Sequence, residues 1–242
     1  MTQLAAWVGR DRALVGVDTR MTALGTASAT GQHAQRVFAQ AGGLIEGSKV
    51  LSLPHSRVLL ANIGSGAFLG MLFQACQMQQ PADDFDALDE SLPVLIGRAF
   101  EALLEQRLAF YPDVPEAAIR GQLVLLVGWS QARGRVCASI FNQRPQAEGF
   151  QRTPLDGFAD DEDPRGRRFA APWNPQKSGV LPYASTLPEM ERLARAQMRD
   201  FPASGAGGRL LVAELTRDSA AITSTCELES ADRVFEGPWA SP

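Results

Sequence analysis

The sequence predicts an α/β fold in which two antiparallel sheets pack face to face, with a helical layer outside each. Three observations carry that prediction. Short apolar runs recur in pairs around polar turns, as in antiparallel hairpins. Stretches of helical period separate those pairs. Few of the strands alternate cleanly between apolar and polar residues, as happens when one face of a sheet meets another sheet and the opposite face meets helices.

The elements follow in order. Residues 4–8 and 13–17 read as strands joined by Gly9-Arg10-Asp11-Arg12. Residues 19–47 are rich in Gly, Ala, Ser and Gln, with apolar anchors only at Val37-Phe38 and Leu44-Ile45, and read as a long excursion with at most one short element. Val50-Leu51-Ser52-Leu53 and residues 58–63 form a second hairpin around Pro54-His55-Ser56-Arg57. After Gly64-Ser65-Gly66 the period changes, and Phe68, Leu69, Met71, Leu72, Phe73, Cys76 and Met78 suit a mostly buried helix. A second helix begins near residues 84–86, whose aspartates favour a helix N-terminus, and runs to about Tyr111, where Pro112 stops it. Pro93 is expected to kink or divide it.

Residues 123–129 and 136–141 make a third hairpin around residues 131–134. Residues 143–183 are rich in Pro, Gly, Arg and Asp without a sustained period, and read as an extended surface segment for function or oligomer contacts. Residues 187–199 form an amphipathic helix with Leu187, Met190, Leu193, Ala194 and Met198 on one face. Residues 210–215 and 221–225 are a last hairpin around residues 216–219. No composition break suggests a linker and no repeat is visible, so residues 1–242 are expected to form one domain.

Composition narrows the function. With 27 acidic against 23 basic residues, the net charge of −4 offers no attraction to nucleic acid or anionic lipid. The longest apolar run, residues 123–127, is far shorter than the roughly 20 residues that span a bilayer. The first residues lack the pattern of a secretory signal, so the cytoplasm is the expected location. Cys76, Cys137 and Cys226 are far apart in apolar surroundings and read as reduced packing residues rather than a disulfide or metal set. There are only two histidines, His33 and His55, and GxSxG, Walker, GxGxxG and HExxH motifs are absent. An enzyme of this composition needs a base other than histidine.

Thr2 supplies one. Its small side chain permits removal of Met1, leaving a terminal amine with a pKa near ~8 beside the same residue's hydroxyl. Thr2, the strand ending Val15-Gly16-Val17-Asp18-Thr19-Arg20, and the order of the elements together resemble the proteasome β-subunit and HslV family of N-terminal nucleophile hydrolases. The resemblance implies that Asp18 holds and balances a lysine, and Ser48-Lys49-Val50-Leu51 supplies Lys49, which lowers the pKa of the Thr2 hydroxyl. It implies that the Gly64 amide, in Ile63-Gly64-Ser65-Gly66-Ala67, stabilises an oxyanion. Arg199-Asp200 followed by Ser204-Gly205 and Gly207-Gly208 resembles the family's Arg-Asp…Ser-Gly-Gly segment, which implies that Asp200 and Ser204 order the terminal amine.

Three departures accompany this match, the first being a spacing between Asp200 and Ser204 one residue longer than the family's. The excursion before Lys49 is longer than the family's, and no Gly-Ser-Gly turn follows the central hairpin. What the resemblance implies is a four-layer α/β/β/α threonine peptidase that hydrolyses peptide bonds in peptides or proteins, with no metal or organic cofactor, assembled as a homo-oligomeric ring or another self-assembly. Two alternatives stand beside it: an inactive oligomeric scaffold of the same fold, and an amidohydrolase or acylase acting on a small non-peptide amide.

Overall fold

The computed structural model describes residues 3–22, 44–46, 48–53, 57–78, 85–110, 112, 116, 119–143, 149–155, 165–201 and 206–228. Two five-stranded antiparallel sheets dominate it. In the first, β1 (Leu4–Val8) and β2 (Arg12–Asp18) form the opening hairpin, and β11 (Arg209–Thr216) and β12 (Ala220–Glu227) form the closing one. With β10 (Arg167–Ala171) on the outer edge, the order is β10-β1-β2-β11-β12. The second sheet runs β5-β6-β7-β8-β9, built from β5 (Val50–Leu53), β6 (Val58–Ile63), β7 (Leu123–Ser130), β8 (Arg135–Gln143) and β9 (Phe150–Pro154). The segment after β2 contributes β3 (Arg20–Thr22) and β4 (Leu44–Glu46), a separate antiparallel pair.

Four helices are described: α1 (Gly66–Met78), α2 (Phe85–Phe110), α3 (Pro175–Ser178) and α4 (Leu187–Asp200). Pro93 does not divide α2; its ring is exposed on the outer side of a continuous helix. The start of α4 is fixed by a capping box, in which the Thr186 side chain and Glu189 carboxylate satisfy each other's backbone amides.

Three apolar clusters show which surfaces are buried. Phe68, Leu72, Leu92 and Ile96 of α1 and α2 pack on Leu60, Leu126 and Phe141 of the second sheet. Leu4, Val15, Val17 and Leu215 of the first sheet meet Leu59, Leu125 and Val127 of the second. Met190, Leu193 and Ala194 of α4 cover Ala5, Leu14, Leu210 and Val212 on the other face of the first sheet. Alternate residues of one strand therefore serve two clusters: Leu14 faces α4, while Ala13 and Val15 face the opposite sheet. This double coverage explains why β2 and β7 read as continuous apolar runs.

Two expectations are corrected here. Residues 19–47, read as holding at most one short element, contribute two described strands, β3 and β4, which pair with each other. Residues 143–183 are not an extended surface segment alone, because they supply the outer strand of each sheet: β9 pairs with β8 and β10 with β1. Both strands are only partly buried, and β9 exposes Gln151, Arg152 and Thr153, so no alternating apolar pattern marks them. β9 is nevertheless anchored, since Phe150 stacks on Phe68 and meets Phe100 edge-on, and Arg152 forms an ion pair with the buried Asp89 of α2.

The cysteines are free, and burial pushes the Cys76 thiol up to about 12, which keeps it protonated and unreactive. Among the described residues no helix is long and apolar enough to cross a membrane, and no group of His, Cys, Asp or Glu could hold a metal ion.

Gly128 lets α2 approach β7. A Cβ there would lie 2.8 Å from the Phe85 Cβ and 2.9 Å from a Val58 methyl. Gly128→Ala should therefore lower unfolding stability by about 1–3 kcal/mol through overpacking. Urea titration of the two proteins checks this, and equal midpoints would contradict the close contact.

Candidate active site

The strand registers bring Asp18, Lys49 and Gly64 to the strand ends at one end of the paired sheets. β1 starts and β2 ends there, with Leu4 opposite Val17. β11 starts there, with Leu210 opposite Asp18. In the second sheet β5 starts, β6 ends and β7 starts at a common end, with Val50 opposite Ala61 and Ile63 opposite Leu123.

Asp18 and Lys49 connect the two ends. The Lys49 Nζ donates to both Asp18 carboxylate oxygens at 2.9 Å, and the pair is almost completely buried, with side-chain exposures of 5% and 0%. Burying two charges is costly unless each is neutralised and the remaining lone pairs are occupied. Here the carboxylate is fully used. Its Oδ1 also accepts the Gln3 amide at 2.7 Å, and its Oδ2 accepts the Gly207 amide at 3.1 Å.

Neighbouring bonds hold these donors in place. The Thr19 hydroxyl accepts the Arg209 amide at 2.8 Å, while the Thr19 amide donates to the Arg209 carbonyl at 2.8 Å, so β11 enters beside Asp18 at a fixed height. The Asn62 amide donates to the Lys49 carbonyl at 3.0 Å, which places the root of the lysine side chain against the end of β6.

Gly64 lies directly beyond β6 and before α1. Its φ of +136° suits glycine, and a Cβ would collide with the Gln122 side chain. Gln122 is buried and ties the turn together: its Oε1 accepts the Ser65 amide at 2.9 Å, and its Nε2 donates to the Ile119 carbonyl at 2.6 Å. The Ser65 amide is thus committed to Gln122, which leaves Gly64 as the backbone donor of interest beside the N-terminus of α1.

Asp200 is the last residue of α4. Its carboxylate accepts from Arg199 Nε at 2.9 Å and from the Ser178 hydroxyl of α3. These two hydrogen bonds, Arg199 first, hold its pKa below the usual aspartate value. Thr2 and Ser204, and the two histidines, lie outside the described residues. The chain just after each of Thr2 and Ser204 is placed, because the Gln3 and Gly207 amides both donate to Asp18.

The structure therefore brings Asp18 and Lys49 together and sets Asp200 with Ser178 and Arg199. Sequence reasoning missed the Gln3 and Gly207 amides, Gln122 and Ser178. The first two are backbone donors and leave no side-chain signature. Gln122 precedes a recognisable strand, but only the fold reveals that it reaches the Gly64 turn.

Solved structures similar to this fold include Anbu proteins. The Anbu Gly-1 mutant from Hyphomicrobium sp. strain MC1 is 13% identical, with a TM-score of 0.55 over 96% of this chain and 89% of that one. Anbu from Yersinia bercovieri, described as an ancestral beta-subunit, is 14% identical, with a TM-score of 0.56 over 95% and 87%. The Anbu complex from Pseudomonas aeruginosa, a helical assembly, is 13% identical, with a TM-score of 0.51 over 96% and 88%. No protein-family model and no curated protein matches the chain.

These findings correct the family resemblance read from the sequence. The chain shares the fold of the Anbu structures at low identity, and its assignment to the proteasome β-subunit and HslV family does not stand. The motifs behind that assignment are short, and part of their spacing follows from the fold: any hairpin of this length returns residue 18 beside residue 3.

Because the Asp200 pKa is lowered in the folded chain, the stabilisation it brings is present above the ordinary aspartate range and is lost as pH falls through the lowered value. Ser178→Ala removes one of its donors and should move the pKa up toward that of a free aspartate. A carboxyl NMR titration reads the shift, and an unmoved pKa would show that the Ser178 bond is not formed in solution.

Proposed function

We propose that this chain is an amide hydrolase with Thr2 as its N-terminal nucleophile, and that its substrates are peptides. The observation that carries the reading is the buried Lys49 ammonium, held by Asp18 one hydrogen bond away from the residue that follows Thr2. A buried cation of this kind has no structural advantage over a well-packed apolar pair. It does favour an ionised or hydrogen-bond-accepting hydroxyl beside it.

Removal of Met1 exposes the Thr2 amine. The amine takes the hydroxyl proton as Oγ1 attacks the substrate carbonyl carbon, forming a C–O bond and a tetrahedral oxyanion. The Gly64 amide and the dipole of α1 face that oxyanion. Collapse breaks the C–N bond, the ammonium returns its proton to the leaving amine, and water then hydrolyses the ester by the reverse proton route. Asp200, fixed by Ser178, and Ser204 order the amine.

The same reading takes residues 1–242 as one domain. It also takes the layers as α/β/β/α, supported by the three apolar clusters that α1 and α2, the two sheets, and α4 form in turn. Self-assembly belongs to it as well, by analogy with the helical assembly of the Pseudomonas aeruginosa Anbu complex. A second reading, an inert scaffold, is favoured by one feature: the sequence after β8 has no Gly-Ser-Gly turn to contact the amine.

Intact mass and labelling decide between them. The hydrolase reading expects loss of Met1, a single Thr2 adduct with an epoxyketone or β-lactone probe, and a fall in peptide turnover of at least roughly a thousandfold in Thr2→Ala, as for loss of other catalytic nucleophiles. A retained Met1 with no adduct would establish the scaffold. Turnover of small amides but not peptides would move the substrate class away from peptides.

A further inference from the structure

The opposite end of the sheets carries a second set of converging side chains. Four hairpin turns meet there, and Arg10, Asp11, Arg57, Trp129 and Arg217 line most of a cavity of about 540 Å³. That volume lies in the range of small-ligand sites, roughly 300–1,000 Å³. Arg10 and Asp11 come from the β1–β2 turn, Arg57 from the turn before β6, Trp129 from the end of β7, and Arg217 from the β11–β12 turn. Both sheets therefore contribute. Asp18 is the last residue of β2, whose first residue follows Asp11 of the cavity, so the two lie about 20 Å apart at the usual rise per residue.

The turns are joined to one another rather than merely adjacent. The Val136 amide at the start of β8 donates to the Arg10 carbonyl at 2.7 Å, and Arg57 Nη1 donates to the Arg217 carbonyl at 3.0 Å. The Arg217 guanidinium lies over the Trp129 ring at 5.7 Å. Arg57 holds a backbone φ of +49°, the only positive φ of a non-glycine residue among those described. This conformation is unfavourable for a residue with a Cβ, and such outliers gather at functional sites.

Charge completes the description. Three guanidinium groups face one carboxylate, Asp11, and among the described residues Arg10, Arg57 and Arg217 form no ion pair. This positive basin stands on a chain whose net charge is −4. A single planar carboxylate is satisfied by one guanidinium fork. Three forks arriving from three turns suit an anion with oxygens in several directions.

We propose that this basin is a binding site for a small multivalent anion of the phosphate class, separate from the Asp18–Lys49 end of the sheets. The oxygens of the anion accept from Arg10, Arg57 and Arg217, Trp129 forms an apolar wall, and Asp11 limits the affinity.

Calorimetric titration of the full chain with pyrophosphate, at low and constant ionic strength, tests the site. Saturable binding of one pyrophosphate per chain is expected, weakening as salt rises. Arg57→Gly should weaken it at least tenfold without lowering the melting temperature, because glycine accommodates the positive φ. Arg217→Ala should weaken it similarly, and Asp11→Asn should strengthen it severalfold. Absence of saturable binding would overturn the proposal, as would affinity unchanged in both arginine variants, or citrate binding as tightly as pyrophosphate.

Discussion

One buried carboxylate organises the end of the molecule where its chemistry is expected. Asp18 terminates a central strand of the first sheet, and its cationic partner Lys49 opens the edge strand of the second. The ion pair therefore joins two sheets whose facing surfaces are largely apolar. A carboxylate without solvent requires every lone pair to be occupied, and that requirement fixes the two further donors, Gln3 and Gly207. The ends of β1, β2, β5 and β11 follow from this single demand. If Lys49 were replaced by an apolar residue, the charge on Asp18 would be left buried and uncompensated.

The same arrangement divides the work between scaffold and chemistry. The sheets supply rigidity through three apolar clusters, and Asp18, Lys49 and their donors lie at the strand ends, where backbone amides are not consumed by the ladder. Gly64 exemplifies the division. The strand-to-helix turn needs its positive φ, and Gln122 fills the space that a side chain would take. The opposite strand ends follow the same rule with different residues, arginines replacing the carboxylate and its donors.

Most of the sheet structure was legible in the sequence, because four hairpins carry paired apolar runs around polar turns, and the helix from residue 187 has a clear amphipathic face. β9 and β10 were not legible. Each lies at a sheet edge with side chains half exposed, and each pairs with a strand that the sequence alone does not identify as its partner. Asp18 and Lys49 were singled out only through the family resemblance, and the Gln3 and Gly207 amides left no trace in the sequence, since any residue could donate a backbone N–H. Nothing in the sequence links the arginines of the far turns to one another; the strand pairing brings them together. The family name read from short motifs was overturned for a related reason: spacing imposed by a fold is shared by all proteins that have that fold.

The central claim is that Asp18 and Lys49 are energetically coupled across the two sheets. A double-mutant cycle on unfolding free energy, using Asp18→Asn, Lys49→Met and the double variant, measures that coupling directly. The account predicts that each single variant is destabilised by about 3–5 kcal/mol. It also predicts that the double variant loses less than the sum of the two single losses, for a coupling of roughly 2–3 kcal/mol in magnitude. Additive losses, with coupling within about 0.5 kcal/mol of zero, would contradict it.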